Sequence, residues 1–127
     1  MNVPLLDLKA QYQGIKKEVM AAAEEIFESQ QFILGPRVEK LEKEIAEYCR
    51  SRFAVGVSSG SDALLICLMA DGIGPGDRVL TTPYTFFATA GAIARTEATP
   101  VFADIEEDTY NLSPADVNRV MEERSEE

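Results

Sequence analysis

Between Gln11 and Ser29, the residues Ile15, Val19, Ala22 and Ile26 recur at helical spacing, while Lys16, Lys17, Glu24 and Glu25 fall off that line. The pattern predicts an amphipathic helix. The stretch QQFILGPRV interrupts it, and the proline of Gly35-Pro36 stands where a new helix can open. Val38, Leu41, Ile45 and Tyr48 then mark one face of a second helix ending near Arg50.

Beyond that point the rhythm changes. RFAVGVS reads as a strand, and Ser61–Asp71 as a helix that is apolar on every side and therefore expected to be buried. GIGPGD is rich in turn residues, RVLTTP reads as a strand, TFFATAGAIART as a helix and TPVFADI as another strand. In NLSPADVNRVMEER, Ser113 is placed to cap a last amphipathic helix, with Pro114 at its first position. Strand followed by helix, three times over, predicts an α/β layer with a parallel sheet behind a helical arm. The expected organisation is a single domain over residues 1–127, with the arm at 1–50 and the parallel α/β part at 51–127.

Composition narrows the function classes. A chain of 127 residues with 46% apolar and 27% charged residues has ordinary globular values and can bury a core. Its longest strongly apolar run, Ala63–Ala70, is too short to cross a membrane. MNVPLLDLKAQYQ has no basic segment leading into an apolar one, so a cytoplasmic location is expected. The net charge is −10, of which −6 falls between Glu106 and Glu127. So acidic a chain is poorly suited to nucleic acid or an anionic membrane surface. The ending VMEERSEE reads as solvated helix surface or a frayed end. Histidine is absent, which removes His bases, His ligands and Ser-His or Cys-His pairs. Cys49 and Cys67 make no metal or redox motif and read as packed small side chains; no metal site is expected.

In parallel α/β sheets, ligands collect at the carboxyl ends of strands, where loops enter the next helix. Ser58–Asp62 holds that position after the first expected strand, and Pro83–Phe86 after the second. The first turn of a helix offers unpaired N–H groups and the positive end of the peptide dipole. Gly60 allows close approach, and Ser59 and Ser61 add hydroxyl donors, so an anion such as phosphate could rest there without lysine. The same residues suit a plain strand-to-helix turn, since Ser and Asp cap helices and Gly makes turns, and on SSGSDAL alone that reading is preferred. Neither a dinucleotide fingerprint nor a P-loop is present. Phe86 or Phe87 could lie against a planar ring whose phosphate sits on Gly60–Asp62; for Phe87 a core position is preferred.

The ordered blocks FILGPRVEKLEKEIAEYC, FAVGVSSGSDALLICLMADGIGPGDRVLTTPYTFFATAGAI and ATPVFADIEEDTYNLSP carry a family likeness. Together they make the chain resemble, from about Val3 onward, the DegT/StrS-type pyridoxal-phosphate-dependent nucleotide-sugar aminotransferases. The resemblance implies the N-terminal portion of an aspartate-aminotransferase-like large domain, a helical arm followed by βαβαβα units. It also implies a homodimer and amino transfer from glutamate to a nucleotide-linked keto sugar. By this resemblance Gly60, Ser61 and Asp62 surround the cofactor phosphate, chiefly through backbone amides, and Phe86 stacks on the pyridine ring. Ser61 stands where the family commonly has threonine, and the hydroxyl is kept.

Two groups that this chemistry needs have no match here. The family's Schiff-base lysine and the carboxylate beside the pyridine nitrogen lie on later strands. In this chain the lysines are Lys9, Lys16, Lys17, Lys40 and Lys43, all in the helical arm. Asp62, Asp77 and Asp104 do not replace the carboxylate. The chain alone is therefore expected to be inactive, with no catalytic residue of its own. A non-catalytic phosphate-binding module, or one that mainly self-associates, is the alternative.

Overall fold

The computed structural model describes residues 5–125, so the start of MNVPLLDLKAQYQ and the last two residues of VMEERSEE lie outside the described residues. The chain divides into two compact units, residues 1–56 and 57–127.

The first unit carries two helices, α1 (Leu8–Ser29) and α2 (Pro36–Cys49). Asp7 caps α1 by accepting from the Ala10 amide at 3.0 Å, and Gln30 ends it in the left-handed region at φ 57°. Pro36 opens α2 as its missing N–H allows. Gly35 has a steric reason: a Cβ there would come within 2.8 Å of the Gln31 carbonyl oxygen. Arg37 pairs with Glu25, and the Gly56 amide donates to Glu42 Oε1 at 2.7 Å. Neither helix contains a fully buried residue.

The second unit runs α3 (Gly60–Ala70), β1 (Arg78–Thr81), α4 (Ala88–Arg95), β2 (Thr99–Phe102) and α5 (Pro114–Ser125). The strands pair in parallel, with Leu80 opposite Val101 and Thr81 opposite Phe102, and α4 is the crossover between them. Glycines at positive φ, Gly72 and Gly76, form the turn before β1, and the Asp77 carboxylate accepts from the Gly74 amide at 2.8 Å. The core is small: Val101, Ala103 and Val120 cluster with Leu80 and Val117 against them, and α4 buries Ala92 and Ile93. This is the expected α/β class, with three local differences.

RFAVGVS is not a strand. A strand exists by its ladder, and no described segment pairs with residues 52–58; the sheet has two strands. The helix α3 is apolar all round yet contains no buried residue, with Leu64, Ile66 and Met69 exposed. It packs on α4, and that contact leaves these three side chains exposed. Cys49 and Cys67 are exposed rather than packed, because one ends α2 and the other lies among the exposed residues of α3.

Candidate functional site

Ser59 is extended (φ −162°, ψ 163°) and caps α3, its Oγ accepting from the Asp62 amide at 3.1 Å. The Asp62 carboxylate reaches back to the hydroxyls of Ser58 and, at 3.0 Å, Ser59. On its other oxygen it meets Arg95 Nη1, at 3.7 Å, from the last turn of α4. The Ser58 hydroxyl, then that of Ser59, holds the Asp62 carboxyl below its ordinary value; partial burial opposes this and Arg95 adds a smaller pull.

These bonds sort the donors at the entrance to α3. The Asp62 amide is engaged by Ser59, and the Ser58 and Ser59 hydroxyls by Asp62. The amides of Gly60 and Ser61 belong to the first turn, where helix geometry offers no acceptor. Neither they nor the Ser61 hydroxyl has a hydrogen-bond partner among the described residues.

At the carboxyl end of β1, the chain turns through bonds from the Tyr84 amide to Thr82 Oγ1 (3.0 Å) and from the Thr85 amide to the Pro83 carbonyl (3.0 Å). Thr85 and Thr89 join through their hydroxyls at 2.9 Å. The helix α4 therefore starts at Ala88, later than the TFFATAGAIART pattern suggests, and Phe86 and Phe87 stand before it, 79% and 81% exposed. Phe87 is thus not a core residue. Its ring lies over Gly91, where an added Cβ would meet Cε1 at 3.2 Å, so the glycine makes room for it on the surface.

Ser61, Phe86, Phe87, Gly91 and Arg95 line one cavity of about 480 Å³. The two turns that the sequence marks separately thereby share one hollow. A larger groove, about 630 Å³, lies in the first unit among Glu39, Glu42, Lys43, Glu47 and Arg50, and touches none of Gly60, Ser61, Asp62 and Phe86. Among the described residues no cluster of His, Cys, Asp or Glu could hold a metal ion, and no helix is long and apolar enough to cross a membrane.

Comparison with known proteins decides the family. The model of the DegT/DnrJ/EryC1/StrS aminotransferase family matches residues 13–127. The chain belongs to this family. It is 51% identical, over 98% of its length and 34% of the other's, to a "Pleiotropic regulatory protein" of Geobacillus stearothermophilus. It is 42% identical, over 98% of its length and 33% of the other's, to the dTDP-3-amino-3,4,6-trideoxy-alpha-D-glucose transaminase of Streptomyces venezuelae. Among solved structures, S. venezuelae DesV matches with a TM-score of 0.89 at 43% identity, over 93% of this chain and 32% of that one. NtdA of Bacillus subtilis, with bound cofactor PMP, matches with a TM-score of 0.89 at 28% identity, over 94% and 28%. The chain thus spans about a third of the length of the relatives it matches.

The residues present suit a DegT-family cofactor, which carries a phosphate and a flat ring. Gly60 has no positive φ, and a Cβ added there would meet nothing within 4 Å. Neither backbone strain nor packing within the chain calls for glycine at that point; what the missing side chain leaves is open space beside two unpaired amides. The phenyl-walled cavity is lined by Ser61 and Phe86 but not by Gly60 or Asp62, which stand next to Ser61 in the chain. Sequence reasoning missed Arg95, because nothing in the spacing brings position 95 to position 62.

Proposed function

We propose that this chain supplies the phosphate-cradling and ring-stacking part of a pyridoxal-phosphate-dependent aminotransferase acting on a nucleotide-linked keto sugar. The observation that carries the reading is the shared cavity, with Ser61 and its unpaired amide on one side and the Phe86 ring on another. The named activity of the S. venezuelae relative, a dTDP-sugar transaminase, favours the substrate class. Glutamate as donor, a homodimer and a cytoplasmic location belong to the same reading, as does one domain with its arm at 1–50 and its parallel α/β part at 51–127.

In this reading each residue has a separate task. The amides of Gly60 and Ser61 and the Ser61 hydroxyl bind phosphate oxygens through charge-assisted hydrogen bonds, which are stronger than neutral ones. Asp62 completes the turn that aims them. Phe86 orients the ring and, with Phe87, keeps water from its face. When bound, pyridoxal phosphate supplies the electron-accepting ring on which amino transfer depends. No lysine is among the residues that line this cavity. On this reading the chain by itself does not transaminate.

Two measurements test this. The chain is expected to bind pyridoxamine 5′-phosphate more tightly than pyridoxamine, and equal affinities would remove the phosphate cradle. Incubation with pyridoxal phosphate followed by borohydride should label no single lysine stoichiometrically. One stoichiometric label together with amino transfer from glutamate would overturn the inactivity. A module that binds phosphate alone would show a phosphate preference that is indifferent to the ring.

A further inference from the structure

Arg95 is the one charged residue lining the cavity. It occupies the last turn of α4, where a cation is favoured by the helix dipole, and its guanidinium crosses to the first turn of α3. The residue it meets there poses an electrostatic problem. Asp62 sits in the same turn as the unpaired amides of Gly60 and Ser61, so a phosphate held by those amides would approach a carboxylate, and like charges at short range repel. Both oxygens of that carboxylate are engaged: Oδ2 by the hydroxyls of Ser58 and Ser59, Oδ1 by Arg95 at 3.7 Å. The serines are neutral and leave the negative charge in place. Arg95 offsets it.

We infer that Arg95 is a positioning residue of this site: by holding Oδ1 while the serines hold Oδ2, it fixes Asp62 and offsets its charge, so that a phosphate monoester meets donors at the α3 entrance. This rests on the reading of that entrance as a phosphate cradle. Arg95 acts through Asp62: the positioning part of its contribution depends on the carboxylate being charged, while the through-space pull of its own charge does not. A residue that acted on the phosphate alone would contribute equally whether or not Asp62 was charged.

The test is a double-mutant cycle on the 127-residue chain. The probe is pyridoxamine 5′-phosphate, which has no aldehyde to react with the arm lysines, and pyridoxamine serves as control; circular dichroism checks that each variant folds. Arg95→Gln should weaken the phosphorylated probe by about two- to fivefold, the range for a partly exposed ion pair. It should leave pyridoxamine unchanged, and Arg95→Lys should recover most of the loss. In an Asp62→Asn background, Arg95→Gln should cost clearly less, because only the long-range attraction of the guanidinium for the phosphate remains. A loss of equal size in that background overturns the inference, since Arg95 would then act on the phosphate directly. No loss in either background also overturns it, while leaving the cradle intact if the wild type still prefers the phosphorylated probe. A wild type without that preference overturns the cradle and the inference together.

Discussion

The second unit contains the same four-residue cap twice, and the two copies do different work. Ser59-Gly60-Ser61-Asp62 opens α3 and Ser113-Pro114-Ala115-Asp116 opens α5. In both, the serine Oγ accepts from the aspartate amide, at 3.1 Å and 3.3 Å, and the serine carbonyl accepts from the amide four residues on, at 3.0 Å and 2.9 Å. The aspartates diverge. Asp116 accepts from the Asp104 backbone amide at 2.7 Å and pairs with Arg119 of its own helix, also at 2.7 Å. It thereby braces the loop between β2 and α5, which the Ser113 amide closes onto the Asp104 carbonyl at 2.9 Å. Asp62 binds only local hydroxyls and a looser arginine from another helix. The first helical residue differs too: Pro114 has no N–H to offer, and Gly60 has one that nothing in the described chain accepts. One motif closes its helix start against its own chain; the other leaves donors open. A capping signature therefore does not separate structure from binding; the residue after the cap and the aspartate's partners do.

Exchanging that residue should break the difference with the largest effect. Gly60→Pro should fold as well as wild type, to within about 1 kcal/mol, because proline suits the first helical position and extended Ser59 tolerates a following proline. It removes one amide donor. A hydrogen bond to a charged group contributes about 1.5–3 kcal/mol, so affinity for pyridoxamine 5′-phosphate should fall roughly tenfold or more. Pro114→Gly should create no phosphate preference, since the α5 entrance is committed to the loop through Asp104. Unchanged affinity in Gly60→Pro would mean that the open amide is incidental.

A smaller effect tests whether the two caps are structurally equal. Ser59→Ala and Ser113→Ala each remove an acceptor from the aspartate amide, and each should lower unfolding free energy by about 1 kcal/mol in denaturant titration. Similar losses would show that the open cap is no weaker as a cap. If Ser59→Ala cost nothing, the α3 cap would have no role in folding, and the serines would be explained by binding alone.

The parts of this unit legible in the sequence were those fixed by neighbours in the chain. Ser113 and Pro114 mark the start of α5 because capping is decided within four residues, and Arg78–Thr81 and Thr99–Phe102 stand where apolar runs meet turn residues. What depends on a distant partner was not legible. RFAVGVS has a strand's composition without a ladder, α3 has a buried helix's composition without a cover, and Phe87 is apolar yet exposed. Apolar character records a tendency to be covered and not the surface that does the covering. The cavity was half legible: Ser61 and Phe86 could each be named from their strand-end turns, whereas the approach of Arg95 to Asp62 is set by the packing of α3 on α4.

Acid should separate the two aspartates by a still smaller margin. Both carboxyls are held below the ordinary value of 3.8: Asp116 chiefly by the Asp104 amide and then by Arg119, and Asp62 chiefly by Ser58 and then by Ser59. A depressed folded-state value means that, over the interval between the two values, the unfolded chain binds more protons. The stabilisation is therefore complete above 3.8 and disappears as pH falls through each lowered value. Denaturant titrations at neutral pH and below 3.8 should show this decline in wild type, and Asn at either position should reduce it. Only Asp116 is tied to a backbone amide of another segment, so Asp116→Asn should also speed hydrogen exchange at the Asp104 amide, and Asp62→Asn should not. If instead Asp62→Asn loosened Asp104, the division between a closed cap and an open one would be misplaced.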